Sequence, residues 1–314
     1  MDSVKKAFKK ILKDLKVFNK NLNYVISRSN ELGFILFWDI IWCKIRYGVT
    51  SNEYRIFEFY NIDRYKRNTF ISKRRYEFLY EKLVNKDIIS TITNKEKFIT
   101  KFKDYLKRDV GNLNKMSFKQ VEDLILESKH VIGRSKEASF ITSYREYDLK
   151  DYRSPAFLAE DMKNNKDYLI EKKFNQIKEL NKISPLVLVN VVSVYNRGPE
   201  IISSSIKFRD NKEIISGYVD LNSKCIIGNF KTEKGINYKE KFEGFEIPKL
   251  SSVIETAKLL CEELSELRWV EWTFIIGSKQ IYLVDANIWD DYVFSQIPEF
   301  LSDNEGLMTY YKHI

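Results

Sequence analysis

Residues 268–291 read RWVEWTFIIGSKQIYLVDANIWDD and predict a β-hairpin near the end of the chain. Two runs rich in β-branched and aromatic residues, 270–276 and 280–284, flank a turn that contains Gly277. Short runs of this kind around a glycine-containing turn are typical of paired antiparallel strands. The C-terminal part of the chain is therefore predicted to be built on an antiparallel sheet.

Three oxygen-bearing side chains are placed on this hairpin. Glu271 lies near the start of the first strand, Asp285 at the end of the second, and Asn287 two residues later. Strand alternation points residues 285 and 287 to one face, and antiparallel pairing brings Glu271 beside them. Such hard oxygen ligands suit Mg²⁺, which takes one or two carboxylates together with water and phosphate oxygens. The alternative is three solvated polar side chains at a sheet edge.

The composition describes a folded protein with an uneven charge. Of 314 residues, 44% are hydrophobic and 14% aromatic, which excludes wholesale disorder. This length allows a large core with two or three subdomains. The net charge is +9, and residues 1–110 carry 25 Lys/Arg against 13 Asp/Glu. The positive field is therefore concentrated in the first third.

Cysteine and histidine usage excludes several kinds of site. Cys43, Cys225 and Cys261 are odd in number and widely separated, which indicates reduced thiols in a cytosolic protein. With two histidines, neither a histidine-based triad nor a zinc site of Cys and His pairs can be assembled. No apolar run reaches the ~20 residues of a membrane span, and the start lacks a signal-peptide pattern. We expect a cytoplasmic protein.

Residues 3–24 predict a basic amphipathic helix. Val4, Phe8, Ile11, Leu15 and Phe18 recur at steps of three and four, and lysines fill much of the remainder. This helix either packs on its own domain or contacts a partner through residues 1–50. The partner would be an anionic membrane surface at the inner face of the membrane, or a protein such as a glycosyltransferase.

A second apolar helix is predicted over residues 33–47. Its large side chains are expected to bury one broad stripe as core: Phe34, Phe37, Trp38, Ile41, Trp42 and Ile45. Between residues 64 and 75, aromatic and basic residues interleave, but no nucleic-acid motif accompanies them. Nucleic acid is therefore not predicted as a partner.

The rest of the chain changes from helices to strands. Further helices are predicted at 72–83, 94–108, 118–127 and 251–264. Short β-rich runs predict strands at 129–132, 140–144, 168–172, 186–195, 200–208, 214–220 and 225–230. A helical N-terminal third, a mixed middle and an antiparallel C-terminal sheet make the fold class α+β.

Two further segments favour nucleotide binding. Arg134 follows a predicted strand within Gly133–Ser139 (GRSKEAS), where main-chain amides and a guanidinium can hold phosphate oxygens. The extended segment Tyr168–Phe174 (YLIEKKF) can bond an adenine edge through its main chain, and Glu179 can bond ribose hydroxyls. The alternative for the second segment is a surface strand with many ion pairs.

Four segments in this order resemble the ATP-grasp superfamily, and more closely the sugar-transfer-associated and teichuronopeptide-type members. They are YGVTSNEYRIFEFYNIDRYKRNTFIS (47–72), TNKEKFITKFKDYLKRDVGNLNKMSF (93–118), YLIEKKFNQIKEL (168–180) and VEWTFIIGSKQIYLVDAN (270–287). The resemblance covers roughly residues 47–300. The last segment is the most specific, and the order of all four is stronger evidence than any one.

The resemblance implies roles for individual residues. The ligands of Mg²⁺ would be Glu271, Asp285 and Asn287. The adenine and ribose contacts would come from Glu171, Lys172, Phe174 and Glu179. The phosphate contacts and charge neutralisation would come from Arg134 and Arg209. Weaker matches, placed at the acceptor site, are Arg108 and Asn190.

Two segments depart from the family pattern. Gly133–Ser139 contains one glycine where such loops are usually glycine-rich. The strand motif that usually ends in arginine appears as Asn190-Val191-Val192-Ser193. Both departures bear on the acceptor chemistry more than on nucleotide binding.

The resemblance implies an ATP-grasp fold, in which two α+β subdomains clamp ATP behind a helical N-terminal region. The expected segments are 1–90, helical and basic; 91–170, the first subdomain; and 171–314, the second with the hairpin. The implied activity is an ATP- and Mg²⁺-dependent ligase that joins a sugar-acid or amino-acid carboxylate to an amine through an acyl phosphate, in bacterial capsule or wall polymer biosynthesis. The alternative is a catalytically silent nucleotide-binding partner of a polysaccharide glycosyltransferase.

Overall fold

The computed structural model describes residues 2–136, 139–211, 213–232, 237–288, 291–301 and 304–311. Its contacts divide the chain into two units: Met1–Val84 with Asp290–Ile314, here the terminal unit, and Asn85–Trp289, here the central unit. This division groups the last residues with the first ones, whereas the sequence-based segments 1–90, 91–170 and 171–314 follow chain order. Within the described residues, no helix combines the length and apolar character needed to cross a membrane.

The terminal unit is helical, as predicted for the N-terminal region. Its α-helices are α1 (Asp2–Ile26), α2 (Gly33–Tyr47), α3 (Ser51–Ile56) and α4 (Lys73–Leu83). Its 3-10 helices are Phe59–Asn61, Lys66–Thr69, Phe294–Gln296, Pro298–Phe300 and Leu307–Tyr311. Thr50 caps α3 through a capping box with Glu53.

Helix α2 buries a different stripe from the one that the sequence predicts. The side chains in the core are Leu36, Ile40, Cys43 and Tyr47. The prediction of Phe34, Trp38, Trp42 and Ile45 as core is wrong, because all four are more than half exposed. Phe37 and Ile41 are half-buried. A helix that is apolar all round offers more than one periodic stripe, and its packing partners decide which stripe is buried.

The central unit is α+β with antiparallel sheets, which confirms the predicted fold class. Its helices are α5 (Ser90–Thr93), α6 (Lys95–Lys101), α7 (Lys103–Leu106), α8 (Phe118–Ser128), α9 (Phe140–Ser143), α10 (Pro155–Asn164) and α11 (Leu250–Glu263). Its strands are β1 (Val110–Asn112), β2 (His130–Arg134), β3 (Arg145–Asp148), β4 (Leu169–Lys172), β5 (Val187–Tyr195), β6 (Pro199–Asp210), β7 (Glu213–Val219), β8 (Ile226–Thr232), β9 (Trp269–Ile276) and β10 (Ile281–Asn287).

Two antiparallel sheets organise this unit. Among the described residues, a small sheet has the strand order β1-β4-β2-β3, and a large sheet has the order β10-β9-β5-β6-β7-β8. Helices α8 and α10 pack on one face of the small sheet around Val131 and Ile170. Helix α11 packs on one face of the large sheet, against β5, β6 and β9. Each sheet therefore has one face covered by helices and one face left for other contacts.

The uncovered faces of the two sheets meet in one apolar cluster. Ile132 of the small sheet and Leu188, Ile275 and Val284 of the large sheet belong to this cluster, with Phe174 among them. The cluster fixes the two sheets against each other, and the charged side chains at its border form the candidate site.

The predicted hairpin is present as β9 and β10. Its register pairs Ile281 with Ile276 and Asn287 with Glu271, with an irregularity between Leu283 and Asp285. A side chain at Gly277 would meet main-chain oxygens of Gln280 at 2.8 Å and Asn175 at 3.2 Å, so the turn needs glycine. The quoted stretch also contains Trp289 and Asp290, which lie outside the described residues.

Local patterns misplace three short elements. Residues 140–144, predicted as a strand, form helix α9, whose first amide is bonded to the distant carboxylate of Asp285. Strands β1 and β3 are not anticipated, and the residues of β1 look like a turn. Each is only three or four residues long and exists because a neighbouring strand supplies its hydrogen bonds.

Candidate nucleotide and metal site

The two faces of the large sheet carry different side chains. On the face toward α11, Trp272 Nε1 donates to Ser193 Oγ at 2.8 Å, and Cys261 of α11 is hydrogen-bonded to the same serine. Alternation therefore places Asn190, Glu271 and other polar side chains of β5, β6, β9 and β10 on the opposite face. This polar face is where the predicted metal ligands lie.

Glu271 is held by two neighbours on the polar face. Its Oε1 accepts a hydrogen bond from Asn190 Nδ2 at 2.6 Å and lies 3.3 Å from Lys207 Nζ. The carboxylate is only 6% exposed. Within the described part of the chain, the buried Oδ1 of Asn190 has no hydrogen-bond partner. An unfilled acceptor next to a carboxylate suits a cation or a donor from a ligand.

Asp285 and Asn287 share this face with Glu271. Asn287 lies directly opposite Glu271, and Asp285 pairs with Thr273. Directly opposed side chains on paired strands stand about 5 Å apart, and diagonal ones stand about 7–8 Å apart. One bound ion or molecule can therefore contact all three side chains. Asn287 is exposed, whereas Asp285 is buried.

A fully buried carboxylate lies between two arginines on the small-sheet side. Glu171 of β4 pairs with Arg134 Nη1 at 2.9 Å and with Arg108 Nη2 at 2.7 Å. Burial acts to raise the pKa of Glu171, but the two guanidiniums outweigh it and hold that pKa below its usual range. Glu171 is therefore ionised, and its visible role is to orient two cations.

Arg134 connects the two sheets. Its Nη2 lies 3.2 Å from Asp285 Oδ2, and its Nη1 donates to the carbonyl oxygen of Val284 at 3.1 Å. The guanidinium carbon is 4.6 Å from the centre of the Phe140 ring, and the Phe140 amide donates to Asp285 Oδ2 at 3.0 Å. Among the described residues, nothing accepts a hydrogen bond from the buried Nε of Arg134.

Arg108 supports the same junction from the segment before β1. Its Nη1 donates to the carbonyl oxygen of Leu283 at 2.6 Å, and its guanidinium carbon is 4.8 Å from the centre of the Phe174 ring. Burial lowers the pKa of Arg108. In the structure Phe174 is 6% exposed and packs in the apolar cluster between the sheets.

Lys95 was not among the site residues predicted from the sequence. It is the first residue of α6, which Asn94 caps through its side chain. Burial, and then repulsion from Arg134, lower the pKa of Lys95 to about 8, although Asp285 and Glu171 act in the opposite direction. The sequence feature that could have identified it is the Asn94-Lys95 pair, which lies in the segment 93–118 that resembles the ATP-grasp superfamily. Lys207 was not predicted as a site residue either. It lies two residues before Arg209 on β6.

Other predicted residues lie apart from this cluster. The guanidinium of Arg209 stacks over Tyr144 at 4.4 Å, and its Nη2 is 3.5 Å from the carbonyl oxygen of Tyr144. The Lys172 side chain is on the α8 side of β4, where it donates to Glu127 at 3.0 Å. Glu179 is exposed before the 3-10 helix Leu180–Lys182.

The segment 133–139 differs from an open phosphate loop. Gly133 belongs to β2, and the space that a side chain would need there is filled by Asp167 and Tyr147. This glycine therefore serves packing inside the small sheet. Within the segment, Glu137 and Ala138 lie outside the described residues.

The donor set fits a magnesium nucleotide in two respects. The unfilled Oδ1 of Asn190 lies on the polar face beside Glu271, and the unfilled Nε of Arg134 suits an anionic oxygen. Asp285 and Glu271 now accept from protein donors, so a metal ion would exchange with these contacts. Within the described ranges, no group of three or more His, Cys, Asp or Glu side chains is arranged for a metal. The predicted set has two carboxylates and an amide.

Comparisons with known proteins give structural likenesses only. No protein-family model and no curated protein matches the sequence. The ATP-grasp ligase PsnB with a minimal precursor is similar at a TM-score of 0.43 and 12% identity, over 74% of this chain and 64% of that one. N5-carboxyaminoimidazole synthetase from Staphylococcus aureus, complexed with ADP, gives 0.47 and 9%, over 71% and 53%.

D-alanyl-alanine synthetase A from Vibrio cholerae gives a TM-score of 0.40 and 9% identity, over 71% of this chain and 61% of that one. The chain thus matches less than two thirds of the length of each of these proteins. With TM-scores below 0.5, the likenesses are partial.

Proposed function

We propose that this protein is an ATP-dependent ligase of the ATP-grasp type that joins a carboxylate to an amine. The observation that carries the proposal is the junction at Arg134. There a buried guanidinium reaches from the small sheet to Asp285 of the large sheet, and its Nε has no acceptor among the residues that the structure describes. A cation held in this way between two sheets is suited to the oxygens of a bound polyphosphate.

The charge of the cluster favours an anion. Lys95, Arg108 and Arg134 supply three positive charges when protonated, and Glu171 and Asp285 supply two negative ones. The excess of one positive charge lies where water is largely excluded, so a phosphate oxygen gains more there than in solvent. Lys95 and Arg134 are our candidates for phosphate contacts, with Arg108 held behind them by Glu171.

Mg²⁺ would be held on the polar face of the large sheet by Glu271, Asp285 and Asn287. It would withdraw charge from the phosphate oxygens when bound. Asn190 and Lys207 already fix the Glu271 carboxylate, and the Phe140 amide fixes Asp285. These neighbours hold the ligands in place before any ion arrives.

The proposed reaction has two steps. A carboxylate oxygen of the acceptor bonds to the γ-phosphorus as the bond to ADP breaks, which gives an acyl phosphate. The amine nitrogen then attacks the acyl carbon, phosphate leaves, and the amine loses a proton to water. Positioning and charge neutralisation by Arg134 and Lys95 are the protein's contribution, so no side-chain nucleophile is required. Arg209, which the resemblance assigns to the phosphate, packs on Tyr144 apart from these two cations.

The finer assignments rest on the resemblance in sequence. They include a sugar-acid or amino-acid carboxylate, capsule or wall polymer biosynthesis, a cytoplasmic site of action, and the subdomain limits 91–170 and 171–314. Adenine would contact the main chain of residues 171–174 with Phe174, and ribose would contact Glu179. Arg108 and Asn190, proposed for the acceptor, are in the structure engaged with Glu171 and Glu271.

ADP release in the presence of Mg²⁺, with a panel of uronic acids, amino acids and amines, tests this function. We expect acceptor-dependent turnover in the wild type. Asp285→Asn should reduce turnover by at least ~100-fold, which exceeds the loss typical of a residue that only hydrogen-bonds to a metal ligand. The matched control is Asp148→Asn at the end of β3, which removes an ion pair with Lys150 and should leave turnover unchanged. Full turnover in Asp285→Asn would overturn the metal assignment.

A catalytically silent nucleotide-binding partner of a glycosyltransferase is the second candidate. The observation in its favour is that Asp285 and Glu271 are both engaged by protein donors. Calorimetry that detects Mg-ATP binding without ADP formation under any acceptor, together with co-purification of a transferase, would support it. Steady acceptor-dependent turnover excludes it.

A further inference from the structure

The outward face of α2 carries five large apolar side chains. Their exposed fractions run from 47% to 74%: Phe34, Ile35, Trp38, Trp42 and Ile45. At 100° per residue, they lie on the side of the helix opposite the buried stripe. A surface helix normally places polar side chains there, so a contiguous apolar face marks an interaction surface.

Helix α1 extends this face. Phe18 of α1 packs edge-on against Phe37 of α2 at 5.6 Å between ring centroids, and Phe37 packs against Trp38 at 5.4 Å. Ile11 and Leu15 continue the stripe of Phe18 along α1 and are more than half exposed. Val4 and Phe8 belong to the same predicted stripe, but their side chains lie outside the described ones.

Positive charge lies opposite the apolar stripe of α1. Exposed lysines occupy the other side of α1: Lys9, Lys13, Lys16 and Lys20. Residues 1–50 hold ten Lys/Arg against four Asp/Glu. On α2, Asp39 is engaged by Arg67 Nη1 at 2.8 Å and by the Tyr54 hydroxyl at 2.6 Å. The acidic residue of α2 is therefore neutralised within the unit.

We propose that α1 and α2 dock on the surface of an anionic lipid bilayer. The aromatic face of α2 and the Ile11–Phe18 stripe would lie at the boundary of headgroups and acyl chains, and the lysines of α1 would face lipid phosphates. A basic helix with an aromatic or aliphatic opposite face is the pattern of helices that lie in this interface. At 15 residues, α2 is too short to cross the membrane.

Charge favours lipid over a second copy of the chain. A homodimer through the same face would cover the apolar side chains but leave the lysines on the other side of α1 without an anionic partner. An anionic bilayer offers apolar depth and negative charge at once. This surface belongs to the terminal unit and does not depend on the ligase proposal.

Co-sedimentation of the full-length protein with vesicles tests the proposal. We expect stronger binding to vesicles of phosphatidylglycerol mixed with phosphatidylcholine than to phosphatidylcholine alone. The double variant Trp38→Ser/Trp42→Ser should bind about tenfold more weakly or worse, the equivalent of ~1.4 kcal/mol. Lys13→Gln and Lys16→Gln should each weaken binding to the anionic vesicles by about fivefold, the equivalent of ~1 kcal/mol.

Matched controls come from the central unit. Phe157 and Leu259 are 53% and 54% exposed, close to Trp38 and Trp42 at 53% each. Phe157→Ser and Leu259→Ser should leave sedimentation with the vesicles unchanged. If they weaken binding as much as the tryptophan variant does, the docking surface is not α2.

Tryptophan fluorescence gives a second readout. Brominated lipid should quench emission from Trp38 and Trp42, and the quenched fraction should fall in the double variant. Trp269 and Trp272 are fully buried and should contribute little to quenching. Equal binding to both kinds of vesicle, or a concentration-dependent dimer abolished by Trp38→Ser/Trp42→Ser in sedimentation velocity, would overturn the proposal.

Discussion

Two regions depart from the usual distribution of residues in opposite ways. The charged cluster of the central unit buries ionised side chains, and the outward face of α2 in the terminal unit exposes apolar ones. Around Glu171, three ionised side chains are almost fully enclosed. On α2, two tryptophans and a phenylalanine are more than half exposed.

This difference shows which free-energy cost each region carries when no ligand is bound. Buried charges must be paired, and the cluster pairs most of its own, but within the described ranges the Nε of Arg134 has no acceptor. Exposed aromatic rings leave apolar surface in water, and nothing described in the terminal unit covers them. The first region is therefore prepared for an anion and the second for an apolar surface.

The largest expected effect comes from a substitution in the buried charged cluster. Glu171→Gln leaves Arg108 and Arg134 buried without their shared counter-ion, so the free energy of unfolding should fall by about 3–5 kcal/mol. Urea unfolding at neutral pH measures it. The exposed pair of Glu127 with Lys172 provides the control, because Glu127→Gln should cost less than ~1 kcal/mol. Similar losses in both variants would mean that the buried pairing contributes no more than a surface pair.

The next effect separates the two faces of α2. Ile40 is 1% exposed, so Ile40→Ala should lower the free energy of unfolding by about 2–5 kcal/mol through a cavity in the core. Trp42→Ser on the outward face should change it by no more than ~0.5 kcal/mol. Thermal and urea unfolding of both variants measure this. A large loss in Trp42→Ser would show that the outward face is covered within the chain.

The smallest effect tests whether the cluster meets an anion. Below a pH of about 8, Lys95 is protonated in the free protein and carries its positive charge, and above it the charge is lost. ATP affinity should therefore fall as pH rises through this value, and Lys95→Met should cost about tenfold at pH 7, equivalent to ~1.4 kcal/mol.

Calorimetric titration with ATP at several pH values measures this dependence. Lys95→Arg is the matched control, because arginine stays charged over the same range and should flatten the pH profile. A wild-type profile as flat as that of Lys95→Arg would remove Lys95 from the phosphate contacts.

The hairpin was predictable because its pattern is local. Alternating apolar residues around Gly277 define two strands, and period-2 geometry brings Glu271, Asp285 and Asn287 to one face without knowledge of the rest of the chain. The capping box of Ser117 and Gln120, which starts α8, is a local signal of the same kind.

The charged cluster was predictable only in part. The sequence indicated Arg134, Glu171 and Asp285 separately, and the resemblance placed Glu171 at adenine. The structure joins them into one network, because strands far apart in sequence bring their side chains together. Lys95 was missed because nothing in its neighbourhood along the chain shows that it lies near Arg134 and Asp285.

The sequence by itself determined the α+β class, the basic helical beginning, the hairpin and the residues on its polar face, since each follows from periods of 2 or 3.6 and from turn residues. Tertiary structure alone decided which stripe of α2 is buried, that residues 140–143 form a helix, and that Arg134 bridges the two sheets. These outcomes depend on which distant groups supply the packing surface, the hydrogen bond or the counter-ion, and local sequence does not encode them.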